Sequence, residues 1–265
     1  MMYSGPILKL RTELKSVIEY ELPIGEELVG MNKFIGKYIH FEWKNEILCI
    51  SCGRKTNKSF AQGYCYPCFL NSPETSECIL RPELCEAHEG KARDMKWAKN
   101  HCLQPHYVYL AVSSGIKVGI TRYSQIPTRW IDQGASFAIK IAETPNRFIS
   151  GIIEVALKEF VSDRTAWQKM LKNQVLEEFD LIEKKHELFS KLNSNLQKFK
   201  VEDDKITEIN YPVLEFPKKV KSIGFDKFNE IAGRIMGIKG QYLIFDDNTV
   251  LNIRKHNGYV IEMKL

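Results

Sequence analysis

Residues 107–134 read YVYLAVSSGIKVGITRYSQIPTRWIDQG, and the fold turns on this stretch. Residues 107–112 form an apolar, β-prone run. Ser113, Ser114 and Gly115 make a turn, and residues 117–121 supply a second short run. Two such runs around a glycine-containing turn predict a β-hairpin. Tyr107 and Tyr109 alternate along the first strand, so both phenols share a face. Gly119 allows a close approach to the second strand. After Pro127 a short helix is expected near Thr128, Arg129 and Trp130. It would set Arg129, with its planar fork of five donors, over the mouth of the hairpin.

Farther on, residues 150–161 predict a helix with apolar positions Ile152, Ile153, Ala156, Leu157 and Phe160. Glu154 falls beside that stripe, where a carboxylate needs a partner or a cation. Patterning alone also accommodates a plainer reading, with Tyr109 and Trp130 as core aromatics and Arg129–Glu154 as an ion pair.

The order and spacing of these elements resemble the GIY-YIG nuclease superfamily over residues 105–162. In that family a hairpin carries two short triplets, a helix carries an arginine, and a later helix carries a metal-binding glutamate. Tyr107-Val108-Tyr109 stands at the first triplet and Lys117-Val118-Gly119 at the second. Arg129-Trp130 stands at the arginine helix, and Gly151-Ile152-Ile153-Glu154-Val155-Ala156-Leu157 at the glutamate helix. The resemblance implies that Glu154 holds one Mg2+ or Mn2+, that Tyr109 helps activate water, and that Arg129 neutralises charge on a phosphoryl group. It makes Tyr109, Lys117, Arg129 and Glu154 the expected catalytic set. Lys117 departs from the family pattern, which has a second tyrosine there. An ammonium that is ordinarily protonated at neutral pH is not equivalent to a neutral phenol. The whole chain is also similar to an uncharacterised bacterial family that joins a Cys-rich segment to such a core.

The cysteines carry the strongest local signal. Cys49 and Cys52 are separated by twelve residues from Cys65 and Cys68, giving two CxxC pairs. Each pair makes a tight turn with two thiolates pointing inward, and two pairs close a tetrahedral S4 site. A structural Zn2+ is expected there. Redox dithiols and an iron–sulfur centre are the competing readings. Cys78, Cys85 and His88, with Cys102 or His101, make a second Zn2+ site conceivable, against the alternative of buried cysteines and surface histidines. Cys102 with His88, His101 or His106 could also be read as a nucleophile–base pair, but no local signature supports it.

Composition narrows the class. The chain has 265 residues, 44% of them hydrophobic and 27% charged, as in ordinary globular proteins. Seven cysteines, four of them in CxxC pairs, suit a reducing cytoplasm. No apolar run is long enough to cross a membrane and the N-terminus lacks a signal-peptide core, so no membrane partner is expected. Net charge is +5, but residues 91–147 hold nine Lys/Arg against Asp94, Asp132 and Glu143. Trp97, Tyr107, Tyr109, Tyr123, Trp130 and Phe137 interleave with them. Basic residues among aromatics suit nucleic acid, DNA or RNA, as the partner, and the competing reading is a solvated basic face beside an ordinary core.

The expected fold class is α+β. Residues 1–48 are β-rich, 49–104 form a Cys/His zinc module, and 105–162 form the GIY-YIG-like α/β core. A helical segment (163–205) follows, uninterrupted by Pro or Gly and with charged polar positions that include Glu177 and Lys185, and then a small β-barrel-like domain (206–265) with a hairpin turn expected at Asp246-Asp247-Asn248. The function expected from the resemblance is metal-dependent hydrolysis of nucleic-acid phosphodiesters, with structural zinc. The alternative is a non-catalytic zinc-containing DNA- or RNA-binding protein, and a third reading is a zinc-stabilised interaction module without nucleic acid.

Overall fold

The computed structural model describes residues 2–176 and 178–265. Glu177, expected on the charged face of the helical segment, lies outside them. Backbone proximity divides the chain into two units. The first comprises Met1–Leu70, Ile131–Gly134 and Ile209–Leu265, and the second Asn71–Trp130 and Ala135–Glu208.

Period-two alternation builds the first unit. Along Tyr38–Leu48, Ile39 and Phe41 are buried while Tyr38 is exposed. Along Glu230–Lys239, Ile231, Gly233 and Ile235 face inward. These two strands pair antiparallel at the centre of a sheet ordered Met2–Pro6, Tyr259–Lys264, Tyr38–Leu48, Glu230–Lys239, Tyr242–Phe245, Thr249–Asn252 and Lys221–Ile223. Lys55–Thr56 adds to Tyr38–Leu48. The turn expected at Asp246-Asp247-Asn248 is present. Asn248 takes φ 65°, and Asp247 Oδ1 accepts from the Thr249 amide at 2.9 Å.

This sheet does not close into the expected barrel among the described residues. Closure needs both edge strands to meet. One edge, Met2–Pro6, instead meets at its end a second sheet of Arg11–Glu13, Glu19–Ile24 and Glu27–Gly30. There the Gly25 amide donates to the Pro6 carbonyl at 3.0 Å. The other edge, Lys221–Ile223, is only three residues long and runs parallel to its neighbour.

The second unit holds a four-stranded antiparallel sheet ordered Ile206–Glu208, Phe137–Thr144, His106–Val112 and Ile116–Arg122. Val108, Leu110, Val112, Val118, Ile139 and Ile141 meet Ile153 and Leu157 of helix Arg147–Leu157, together with Leu181 and Leu188. That helix starts three residues before the expected boundary, because the Asn146 side chain accepts from the Ile149 amide at 3.0 Å. An Asn cap of this kind satisfies an otherwise orphaned helix donor.

The helical segment is shorter in its parts than its uninterrupted pattern predicts. It forms Trp167–Leu171, Leu181–Ser190 and Ser194–Gln197. Asn173 turns left-handed at φ 54°, and the Asp180 and Asn193 side chains each start a new helix. Lys185, which the pattern puts on the charged face, is wholly buried. Its ammonium donates to Asp204 Oδ1 at 2.7 Å and to the Asp203 carbonyl at 3.0 Å. Substitution of Lys185 by alanine strands those acceptors and removes a packed stem. Charged hydrogen bonds contribute about 1.5–3 kcal/mol. Asp204 is partly exposed, so the lower end of that range is expected in a denaturant melt.

Candidate functional site

The two CxxC pairs converge in the first unit. Cys49, Cys52, Cys65 and Cys68 bring their sulfurs within 4.8 Å of one another and could hold zinc. The local backbone explains the convergence. The Gly53 amide returns to the Cys49 carbonyl at 2.8 Å, with Gly53 at φ 69°. The Ile50 amide donates to the Gly63 carbonyl at 2.9 Å, tying the two turns together. Burial works against a thiolate at Cys49, but amides of Cys65, Cys52 and Ser51 outweigh it and lower that thiol to about 6. Amide donors that favour the anionic sulfur prepare it for a cation.

A second group lies in the second unit. Cys78, Cys85 and Cys102 also bring their sulfurs within 4.8 Å. His88 and His101 do not join them. The His88 ring stacks on Phe148 at 4.3 Å and the His101 ring on Trp97 at 4.0 Å, with His101 Nδ1 2.9 Å from the Trp97 carbonyl oxygen. The four-ligand set with His88 is therefore three sulfurs in this structure. Two closely spaced thiols around Cys102 also leave little to recommend a lone nucleophile.

On the hairpin, the register sets Tyr109 opposite Gly119 and Ala111 opposite Lys117. Tyr109 is fully buried, and its ring meets Trp130 edge-on at 6.0 Å. A bulge in the pairing with Phe137–Thr144 falls beside Tyr109, the place where sheets re-aim side chains. A Cβ on Gly119 would stand 2.6 Å from Tyr109 Oη and 2.8 Å from Cζ. Gly119→Ala is expected to cost about 1–3 kcal/mol, as overpacking does. Adding Tyr109→Phe removes the nearest atom and should recover part of that loss. A double-mutant cycle of thermal melts checks it, with strict additivity as the contrary result.

Lys117 is buried beside this pair. Its ammonium donates to Thr165 Oγ1 at 2.6 Å. Burial pushes its pKa down to about 7. Repulsion from Arg129 adds to the shift, while Asp163 and Glu154 oppose it. Glu154 is also buried, on the helix face that carries Gly151. Burial raises its carboxyl above the usual range, Lys158 opposes the shift, and Asp163 and Glu83 add to it. Lys158 reaches Glu154 at 3.5 Å and Asp163 at 3.2 Å. Tyr109, Lys117, Arg129 and Glu154 thus belong to one region of the second unit, with Lys117 in electrostatic reach of both Arg129 and Glu154.

A family model described as a protein of unknown function (DUF2797) matches residues 36–261. The chain belongs to this family. No curated protein and no solved structure matches it. The DUF2797 match takes in both cysteine groups and the whole of the hairpin, Arg129 and Glu154 region.

Two participants in the DUF2797 chain, Asp163 and Glu83, have no signature in its pattern. Asp163 enters because the Val118 amide donates to the Ser162 carbonyl at 2.8 Å, drawing residues 162–165 along the hairpin edge. Glu83 enters because Gly151 packs against the backbone of Pro82 and Glu83, where any side chain would collide. Neither contact has a local signature. Arg147, counted among the basic residues, is buried, and so is Lys117. The basic window is therefore not one solvated face, although Lys91, Arg93, Lys96 and Lys99 remain exposed. Among the described residues no helix is long and apolar enough to cross a membrane.

Proposed function

We propose that the second unit is a metal-dependent phosphodiesterase acting on DNA or RNA. The observation that carries this reading is Lys117, buried on a hairpin that also carries the buried Tyr109 and in electrostatic reach of Arg129 and of the buried Glu154. Burying a cation and a carboxylate is expensive unless they are paired or used. Perturbed groups of opposite sign gathered at one place are typical of reaction centres.

Each residue has a task suited to its chemistry. Glu154, with a carboxyl that burial makes reluctant to stay charged, is the residue that would hold Mg2+ or Mn2+. Such a hard cation would supply electrostatic stabilisation of the phosphoryl oxygens. Arg129 offers a planar fork to a phosphate. Lys117, with a pKa near 7, is partly neutral at physiological pH and would accept the proton of the attacking water. Tyr109 would orient that water. The oxygen of the water bonds to phosphorus, the bond from phosphorus to the leaving sugar oxygen breaks, and that oxygen takes a proton from solvent. Lys117, which stands where the GIY-YIG superfamily has its second tyrosine, is on this reading a replacement base. Zinc at Cys49, Cys52, Cys65 and Cys68 has a structural part.

The test incubates the purified protein with labelled single- and double-stranded DNA and RNA, with Mg2+, with Mn2+ and with neither. Cutting of at least one substrate, only when a divalent cation is added, is expected. Binding without cutting on all four substrates would instead support the non-catalytic nucleic-acid-binding protein.

A further inference from the structure

The seven cysteines divide into a group of four and a group of three, and the smaller group differs in kind. Four thiolates fill a tetrahedron. Three leave one position, and an unfilled position separates reactive zinc sites from structural ones.

The three sulfurs are brought together by separate turns. Cys78 lies in the turn Glu77–Ile79, Cys85 closes the turn Pro82–Leu84, and Cys102 ends the helix Met95–His101. All three residues line a cavity of about 250 Å³, whose other walls include Lys91, Arg93 and Trp97. One water has a share of roughly 30 Å³ in the liquid. The cavity therefore has space for an ion, a fourth donor and the body of a small molecule carrying that donor.

Among the described residues no side chain joins the three sulfurs as a fourth donor. His88 and His101 are stacked on Phe148 and Trp97. His106 turns Nδ1 toward the Gln104 carbonyl oxygen at 2.7 Å, and its Nε2 is buried without a hydrogen-bond partner. None of the three is in the group of mutually close ligand atoms.

Arg147 points to anionic sulfur. Its amide donates to the Cys102 carbonyl at 2.8 Å and its Nη1 to the Cys78 carbonyl at 3.3 Å, while its Nε is buried without a partner. A buried guanidinium beside neutral thiols is an uncompensated charge. Beside a divalent ion held by three thiolates, which carries one net negative charge, it is compensated.

We propose that Cys78, Cys85 and Cys102 form an open metal centre whose fourth position faces the cavity and exchanges its donor, water at rest and a small thiol when one is present. Thiolate-rich sites favour zinc and other soft or borderline ions, which is why a thiol is the expected incoming donor. The open position rests on this group holding a metal, and the test separates the two claims.

The full chain is purified with zinc for metal counting. It is then loaded with cobalt, whose visible spectrum reports coordination, and titrated with 2-mercaptoethanol. Two metals per chain are expected, with a saturable spectral shift on adding the thiol. Cys85→Ser should drop the count from two to one and abolish the shift. His88→Ala and His106→Ala should keep both. One metal in the wild-type chain would overturn the metal reading of this group. Two metals with no thiol-dependent shift, or loss of the second metal in either histidine variant, would leave the metal in place and overturn the open position.

Discussion

Cys65→Ser is expected to remove one zinc from the chain and to unfold the segment between Cys49 and Cys68. Besides the contacts of Phe60 with Tyr66 and Phe69 and one hydrogen bond from Asn257 to the Gln62 carbonyl, the segment has little to hold it. Cys52 and its neighbours from Ser51 to Lys55 are exposed, helix Tyr66–Asn71 buries none of its residues, and Lys55–Thr56 is a two-residue strand. Structural zinc sites contribute about 10–16 kcal/mol of apparent binding free energy at neutral pH. Even a small fraction of that exceeds what two hydrogen-bonded turns retain. Hydrogen exchange should therefore show amides such as Gly53 and Tyr64, which close turns in this segment, losing protection together. A chelator strong enough to strip zinc should reproduce the change in the wild-type protein. Retained protection after zinc loss would mean that the turns hold the thiols without help, as redox pairs would.

Lys117→Met separates stability from turnover. Folding lowers the lysine from its ordinary value of 10.5 to about 7. Between those values the unfolded chain binds the extra proton, so stability rises with pH across that window. Below about pH 7 both states are protonated and the burial penalty is present in full. A methionine of similar length carries no such penalty. Each tenfold loss of proton affinity corresponds to about 1.4 kcal/mol. Allowing for relaxation around the site, the variant is expected to be more stable at neutral pH by about 1–3 kcal/mol and to lose the rise toward alkaline pH. Its cleavage rate should fall about 10²- to 10⁴-fold, the usual contribution of a positioned base. In the wild-type protein the rate should climb with pH through about 7 and level off above it, as the neutral amine accumulates. A flat profile, or full activity in the variant, would remove Lys117 from the chemistry.

The part of this site that was legible in the sequence is the part built from local pattern. Alternation and Gly115 placed the hairpin and put Tyr107 and Tyr109 on one face, whereas the register that sets Tyr109 opposite Gly119 came from the structure. The CxxC spacing located four thiols because the ligand turns are made by near neighbours. Contacts between distant segments were not legible. Glu83 reaches the Glu154 region through a glycine contact, and Asp163 through one backbone hydrogen bond. His88 sits three residues from Cys85, a spacing that suits a ligand, yet stacking on Phe148 directs its ring elsewhere. Lys185 and Arg147 were charged residues in charged stretches, and only the carbonyls and carboxylate that receive them explain their burial. The expected barrel failed for the same reason, since alternation announces strands within residues 1–48 but not that three of them form a separate sheet at the end of strand Met2–Pro6.

Metal-dependent cleavage centred on Glu154 is best tested by setting Glu154→Ala beside the wild-type chain on one cleavable oligonucleotide, with affinity and single-turnover cutting measured together in Mn2+. Loss of an electrostatic contact of this kind costs about 10²- to 10³-fold in rate. At least that loss of cutting is predicted, with affinity nearly unchanged. Equal cutting by both proteins would contradict a catalytic Glu154.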